Sequence, residues 1–172
     1  TATVKTTNSA GVEIDGVATY GGTAYTSTGV TATSFTPSTY AAGATPAKVT
    51  FVQTLDTALV SGDKIVITVT DSIFAANANT ACTVNDGSSK TVTTSATVGT
   101  ALTITMGAAV LKDVAVTIEC TDNLAANGAD GTTRTATVKT TNSGGVDIDA
   151  VATYGGAAYT YTDPWNANDI IW

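Results

Sequence analysis

The sequence predicts an all-β protein, a sandwich of short antiparallel strands, and three observations lead to that prediction. Apolar and polar residues alternate along many separate runs, which is typical of strands with one buried face. Asn, Asp, Ser and Gly residues, which favour turns, separate these runs at regular intervals. The chain is rich in Thr and poor in charged residues, at 12%, and no stretch has the apolar period of a helix.

Six longer runs supply the main predicted strands. Val49 and Phe51 share one face of the first run, and Leu102, Ile104 and Met106 share one face of the third. The intervening residues are mostly Thr, which suits the outer face of a pleated sheet. The predicted strands cover residues 47–54, 64–70, 99–106, 113–121, 132–141 and 146–151, with shorter runs at 29–35 and 89–94.

The alternation also predicts how the last strand, 146–151, is oriented. Val146 and Ile148 are expected to point into the core, and Asp147 and Asp149 are expected to point outward. This assignment assumes that the strand pairs regularly, without an extra residue on either side.

Turn residues punctuate these strands. Asn, Asp and Gly tolerate the positive φ that tight turns require. Segment 71–79 has room for one helical turn at most. The turn signals lie at residues 61–63, 85–89, 127–131 and 142–145.

The two cysteines, Cys82 and Cys120, each lie in an alternating run and share a face with apolar residues such as Val84 and Ile118. Both thiols are therefore expected to point into the core, and we predict that they form a disulfide. On a chain-entropy estimate the bridge would stabilise the fold by about 4 kcal/mol. The alternative is a pair of buried free thiols, but the rest of the composition favours an extracellular protein, in which disulfides persist.

Residues 1–26 recur almost unchanged at 135–160. Thr1 corresponds to Thr135 and Thr26 to Thr160, and 22 of the 26 positions match. The chain therefore holds one full repeat plus a second copy of the repeat's closing segment. We predict a duplicate of the closing strands at 1–26, a β-sandwich domain at 27–160 and a divergent apolar tail at 161–172. The four differences are Ala10/Gly144, Glu13/Asp147, Gly16/Ala150 and Thr23/Ala157.

Segment 1–26 is expected to engage another copy of the domain, because one compact domain needs its closing segment only once. Its residues Ala2, Val4, Val12 and Ile14 alternate in a way that fits a sheet. They are predicted either to add strands to the open edge of a neighbouring subunit or to complete the preceding domain. Either contact is heterologous and extends into a filament.

The tail at 161–172 is predicted to be a docking element at the subunit interface. Trp165, Ile170, Ile171 and Trp172 are large apolar residues in a chain that otherwise has few of them. Such residues promote association when they are exposed to water. The alternative is an unstructured end.

Charge and composition exclude several classes of function. The net charge is −7 without any basic patch, so we expect no nucleic-acid partner. The longest apolar runs are too short to span a bilayer. The chain has no His, hence no Ser-His-Asp arrangement and no His-based metal site, and we expect neither enzymatic activity nor a cofactor. It begins at Thr1 rather than Met, so we expect either processing or a window on a longer chain.

Calcium is the one metal that the sequence leaves open. Asp and Asn supply the hard oxygen ligands that calcium prefers, but no loop has regular carboxylate spacing. Exposed Ser and Thr, densest at 27–39, are candidate sites for O-linked glycans. The oxygen-bearing candidates are Asp86, Asp122, Asn123, Asn127 and Asp130, with the repeated pairs Glu13/Asp15 and Asp147/Asp149.

Two segments carry a broad resemblance to a class of known proteins. VKTTNSGGVDIDAVATY and ATPAKVTFVQTLDTALVSGDKIVITVT resemble the end and the start of Thr/Ser-rich, immunoglobulin-like β-sandwich repeats of large microbial extracellular surface or filament proteins. The resemblance implies a structural role and a location outside the cell or at its surface. The number of strands and the cysteine pair favour the same immunoglobulin-like architecture, although no Trp lies near the cysteines.

We therefore predict a structural subunit of an extracellular filament that assembles head to tail with copies of itself. The alternative is an extracellular adhesin or stalk module that binds carbohydrate or calcium through its loops. Exposed aromatic residues on one face would favour the alternative, and Tyr20, Tyr25, Tyr154 and Tyr159 are the candidates. An ice-binding surface formed by the alternating Thr residues is a third, weaker hypothesis.

Overall fold

A computed structural model of the chain describes residues 2–7, 13–20, 29–70, 73–75, 79–98, 100–129, 133–154 and 159–160. Within these ranges every regular element is a β-strand, which confirms the all-β prediction. The strands are β1 (Ala2–Thr7), β2 (Glu13–Tyr20), β3 (Thr31–Pro37), β4 (Val49–Thr54), β5 (Lys64–Val69), β6 (Cys82–Asn85), β7 (Ser89–Lys90), β8 (Val92–Val98), β9 (Ala101–Met106), β10 (Ala115–Cys120), β11 (Thr133–Arg134), β12 (Ala136–Thr141), β13 (Asp147–Thr153) and β14 (Tyr159–Thr160).

Most of these strands form two five-stranded sheets in which all neighbours are antiparallel. The first sheet has the order β3-β4-β10-β6-β7, and the second has the order β13-β12-β5-β9-β8. The chain crosses repeatedly between them, from β4 in the first sheet to β5 in the second and back to β6. Two separate two-stranded sheets pair β1 with β2 and β11 with β14.

The two sheets share one apolar core. Alternate residues of β4, β5, β9 and β10 are fully or almost fully buried, as the alternation predicted. Phe51 lies at the centre of the core, with its ring centroid 4.9 Å from Phe35 in the same sheet. It lies 5.6 Å from Tyr154, which follows the last strand of the other sheet. Residues from both sheets therefore enclose a single core.

The predicted disulfide is present, and it joins neighbouring strands of one sheet. Cys82 of β6 lies directly opposite Cys120 of β10, and the two are bonded. Cys120 is fully buried and Cys82 is nearly so. The bridge therefore fixes the pairing of β6 with β10 inside the first sheet, and it does not link the two sheets.

The described loops lie at two opposite ends of the strands. One end, here called the leading end, carries the loops 55–63, 107–114 and 142–146. The Lys64 ammonium donates to the Ser143 carbonyl there at 3.0 Å. The turns predicted at 61–63, 85–89 and 142–145 are present, each with a glycine at positive φ, at Gly62 (95°), Gly87 (103°) and Gly145 (86°). The turn predicted at 127–131 and the segment 71–79 lie partly outside the described residues.

The opposite end, here called the trailing end, carries the loops 38–48 and 121–129. The Gly43 amide donates to the Asn127 carbonyl at 3.2 Å. The Asn127 side chain donates to the carbonyls of Thr39 and Ala41 at 3.1 and 2.8 Å. These bonds hold the two loops together and satisfy backbone groups that no strand pairs.

The predicted orientation of the last strand is wrong at two residues, Val146 and Asp149. Asp149 is fully buried, whereas Val146 is 66% exposed, and Ile148 is partly buried. The pairing of β12 with β13 shifts register between Val138 and Thr140 and again before Thr141. An irregularity of this kind reverses which residues face the core, and simple alternation along one strand cannot reveal it.

Candidate assembly site: the duplicated hairpin

The second copy of the repeated segment forms a hairpin, β12–β13, at one side of the second sheet. β12 pairs with β13 on one edge and with β5 on its other edge. The β5 pairing is regular and runs from Ala136 opposite Val69 to Thr141 opposite Lys64. We call the place beside Lys64–Val69 that β12 occupies the closing position.

β12 contributes to the core from the closing position. Ala136 and Val138 are each 1% exposed, and Thr140 is fully buried. Burial of a Val side chain of this kind stabilises a fold by about 1.5–3 kcal/mol. On the outward face, the Lys139 ammonium lies 2.8 Å from the Asp147 carboxylate across the hairpin. Both faces of β12 are therefore in use.

A buried polar pair stabilises the irregular part of this hairpin. The Thr140 hydroxyl donates to Asp149 Oδ2 at 2.9 Å, and it accepts from the Asp149 amide at 3.0 Å. Both residues are fully buried. The hydroxyl therefore accounts for the inward position of Asp149, because a buried carboxylate requires hydrogen bonds.

The first copy forms the same hairpin in the same register. Thr3 lies opposite Thr19, and Thr6 lies opposite Asp15, with register shifts at the same two places. The corresponding residues of the second copy form the corresponding pairs of β12–β13, Thr137 with Thr153 and Thr140 with Asp149. The duplicated sequence therefore encodes one backbone arrangement twice.

The two hairpins differ in their third strand. Among the described residues, β12 has two hydrogen-bonded neighbours, whereas β1 has only β2. The two strands that correspond, β1 and β12, have the identical sequence ATVKTT. An isolated two-stranded hairpin is marginally stable in water. Within the described part of the chain, one edge of β1 is therefore unpaired, and β1 has the same sequence as β12, the strand that pairs with β5.

The predicted interface residues fall partly within this hairpin. Ala2 and Val4 lie in β1, and Ile14 lies in β2. Val12 and the tail residues Trp165, Ile170, Ile171 and Trp172 lie outside the described residues, so their predicted roles stay predictions.

The counterparts of these residues in the second copy are not equivalent to one another. Ala136 and Val138, the counterparts of Ala2 and Val4, are buried in the closing position. Val146, the counterpart of Val12, is exposed, and Ile148, the counterpart of Ile14, is partly buried. The edge strand is therefore the stronger candidate for a contact surface.

Sequence reasoning missed three polar groups of the core near this hairpin. The Tyr154 hydroxyl donates to Gln53 Oε1 at 3.0 Å, and both residues are buried, so Tyr154 does not belong to an exposed aromatic face. Burial raises the pKa of the Tyr154 phenol, so the phenol stays protonated. Arg134 is 1% exposed. The signal for Gln53 was its place in the alternation of β4, on the same face as Val49 and Phe51.

Asp86 links two loops at the leading end. Its carboxylate lies 3.0 Å from the Lys90 ammonium and accepts from the Leu111 amide at 2.8 Å. Burial by itself raises the pKa of this carboxyl. The hydrogen bonds from Leu111, Lys90 and Ser88, together with the charge of Lys90, outweigh burial and hold the pKa below its ordinary value of 3.8.

A polar cleft of about 400 Å³ opens between the start of β6 and the edge strand β8. Thr80 is 3% exposed, and its hydroxyl has no hydrogen-bond partner among the described residues. The Ser95 hydroxyl donates to the Thr80 carbonyl across the cleft. The cleft is lined by Asn79, Thr80, Ala81, Thr93, Ser95 and Asp122.

Other candidate features were sought in the described part of the chain. It contains no group of three or more Cys, Asp, Glu or His residues that could hold a metal ion. No helix found there is long and apolar enough to cross a membrane. Comparison with family models, with curated proteins and with solved structures gives no match to this chain.

Proposed function

We propose that this protein is a structural repeat unit of an extracellular filament, joined head to tail to further copies of the same repeat. The observation that carries the proposal is the hairpin β1–β2, which has the same register as β12–β13. Among the described residues, its strand β1 has no partner other than β2. Its natural partner is another copy of the domain, because the domain already binds that strand sequence beside β5.

The course of the chain through the domain supports serial joining. The chain arrives at the leading end, where Thr31 of β3 lies opposite Thr54. It leaves at the trailing end, where β13 finishes with Thr153 opposite Thr137. Entering and leaving at opposite ends lets successive domains follow one another along one axis. The short segment 21–28 that precedes β3 spans at most about 30 Å.

The architecture that we propose is an immunoglobulin-like sandwich in the broad sense, with a strand pair shared between copies. Two antiparallel sheets over one core support it. So does the parallel bridge between Gly29, ahead of the first strand of the sandwich, and Ala150 in its last strand. Antibody domains differ, because their disulfide joins the two sheets, whereas Cys82 and Cys120 lie in one sheet.

An extracellular or cell-surface location belongs to the same proposal. The disulfide agrees with it, because such bonds persist mainly in oxidising compartments. The described Ser and Thr residues on outward strand faces, such as Thr31 and Thr33, offer hydroxyls for O-linked glycans.

Deletion of residues 1–26 tests the proposal. The shortened chain should remain folded, because its own β12–β13 hairpin occupies the closing position, but it should not assemble. Electron microscopy and analytical ultracentrifugation of the two proteins at matched concentrations measure the difference. Filaments of equal length and number from the shortened chain would exclude the hairpin as the joint.

A binding module is the second candidate, and the polar cleft favours it. The Ser95 and Asp122 side chains, which line the cleft beside Thr80, offer oxygen atoms for hydrogen bonds to a saccharide. Titration with mono- and oligosaccharides and with calcium chloride, followed by NMR, tests this function. Saturable shifts that Thr80→Val and Asp122→Asn abolish, and that Thr103→Val on a strand outside the cleft retains, would establish it.

A further inference from the structure

We infer that β1 of one copy binds in the closing position of another copy, directly beside Lys64–Val69, in the register that β12 uses within its own domain. The inference rests on the proposed function and names the partner surface of the joint. Replacing each β12 residue in the β12–β5 pairs by its counterpart in β1 gives the register. Ala2 lies opposite Val69, Lys5 opposite Val66, and Thr7 opposite Lys64.

The pattern of differences between the two copies supports this partner. Every residue of the strand that contacts β5 is identical in β1 and β12. The differences lie elsewhere, at Gly144 in the turn, at the exposed Asp147, at Ala150 in β13 and at position 157. The strand that forms the buried contact with β5 is thus unchanged between the two copies.

The differences that do occur keep the chemistry of the hairpin. Asp147, which pairs with Lys139 at 2.8 Å, is replaced by Glu13, and Lys139 corresponds to Lys5. Thr140 and Asp149, the buried pair, correspond to Thr6 and Asp15. β1–β2 therefore carries the groups that β12–β13 uses on both of its faces.

The two hairpins compete for the closing position. Each chain has one such position and two hairpins with the same contact strand, so exchange between intact chains changes little free energy. Intact chains can therefore exchange one hairpin for the other, and binding of β1 from another copy is favoured further where the resident β12 is absent or cannot bind. A test must therefore disable the resident hairpin while leaving β1–β2 intact.

Val138→Asp in the full chain achieves this, because it places an unpaired charge at a residue that is 1% exposed. Chains with this change should fold by accepting β1 from other chains, and they should form oligomers more readily than the unaltered protein. Val4→Asp added to Val138→Asp disables both contact strands. The double variant should remain unfolded, and the amount of oligomer that it forms should be roughly 100-fold lower than for Val138→Asp alone.

Paired cysteines report the register directly. Val138→Asp chains that also carry Lys5→Cys and Val66→Cys should form disulfides between chains after unfolding and refolding together. Lys5→Cys with Thr68→Cys, which is out of register, is the matched control and should not. A positive control is Val66→Cys with Lys139→Cys in a chain that keeps Val138, and it should cross-link within one chain. That result would show that directly opposed cysteines on these strands can form a disulfide, as Cys82 and Cys120 do.

The outcomes separate this inference from the proposed function. Cross-links between chains at residues 5 and 66, mapped by mass spectrometry, support the closing position as the joint. If the unaltered protein assembles only when it has residues 1–26, but Val138→Asp stays unfolded even with excess unaltered chain, the hairpin binds elsewhere and the inference is wrong. If residues 1–26 have no effect on assembly, the proposed function itself fails.

Discussion

The hairpins β1–β2 and β12–β13 have nearly the same sequence and the same internal register, yet among the described residues only the second belongs to a five-stranded sheet. Local sequence therefore suffices to specify the register of the hairpin and its irregular pairing. The difference between the two is the third strand, β5, which lies far away in the chain. Because an isolated two-stranded hairpin is marginally stable in water, we expect the stability of this segment to depend on a tertiary partner.

The largest effect should come from a charge in the resident hairpin. In a chain that lacks residues 1–26, Val138→Asp should cost roughly 4 kcal/mol or more and prevent folding, because an unpaired charge enters the core. In the full chain the loss should be smaller and should decrease as protein concentration rises. Thermal unfolding at several concentrations measures both. An equal loss in the two chains would show that β1–β2 cannot replace β12–β13.

Removal of the disulfide should have the next largest effect, and it should act on the sandwich alone. The bridge closes a sequence separation of 38, for which chain entropy gives about 4 kcal/mol. Reduction, or Cys82→Ala with Cys120→Ala, should lower the melting temperature. The register in which β1 binds beside β5 should not change, because the disulfide joins β6 and β10 in the first sheet and β5 lies in the second. An unchanged melting temperature would contradict a structural role for the bridge.

A smaller effect on stability should distinguish Asp149 from its counterpart Asp15 in the first copy. Asp149→Ala leaves the Thr140 hydroxyl without its carboxylate partner and should cost about 1–3 kcal/mol. Asp15→Ala should change the stability of the sandwich by less than about 0.5 kcal/mol, since that hairpin is surplus to the domain. Denaturant unfolding of both variants gives the comparison. Equal losses would mean that both hairpins contribute to the same folded unit.

The smallest effect concerns pH and belongs to the body of the sandwich, because neither hairpin has a counterpart of Asp86. The folded state lowers the pKa of Asp86 below 3.8. Its contribution to stability is therefore complete above that pH and is lost as pH falls through the lower, folded value. Asp86→Asn should flatten the acid side of the stability curve. If the variant loses stability just as steeply as the pH falls, other carboxylates are responsible for that loss.

Particular residues show how far sequence reasoning reaches. The alternation identified the buried residues of β4, β5, β9 and β10, including Phe51 and Ile104, and it placed both cysteines in the core. It failed at Asp149, because a register shift between two strands leaves no mark on the alternation of one. It also gave no indication of the contact between Tyr154 and Gln53, which lie far apart in the sequence.

The sequence by itself determined that this is a β-protein, where its strands and glycine turns lie, and that its closing segment occurs twice. These are properties of neighbouring residues and of direct comparison along the chain. Only the tertiary structure decided which strand the second copy of the closing segment pairs with, which sheet holds the disulfide, and that Ala136 and Val138 of β12 are buried beside β5. Those outcomes depend on contacts between distant segments, and a hydrogen-bonded edge accepts any strand of suitable pattern until the whole core selects one.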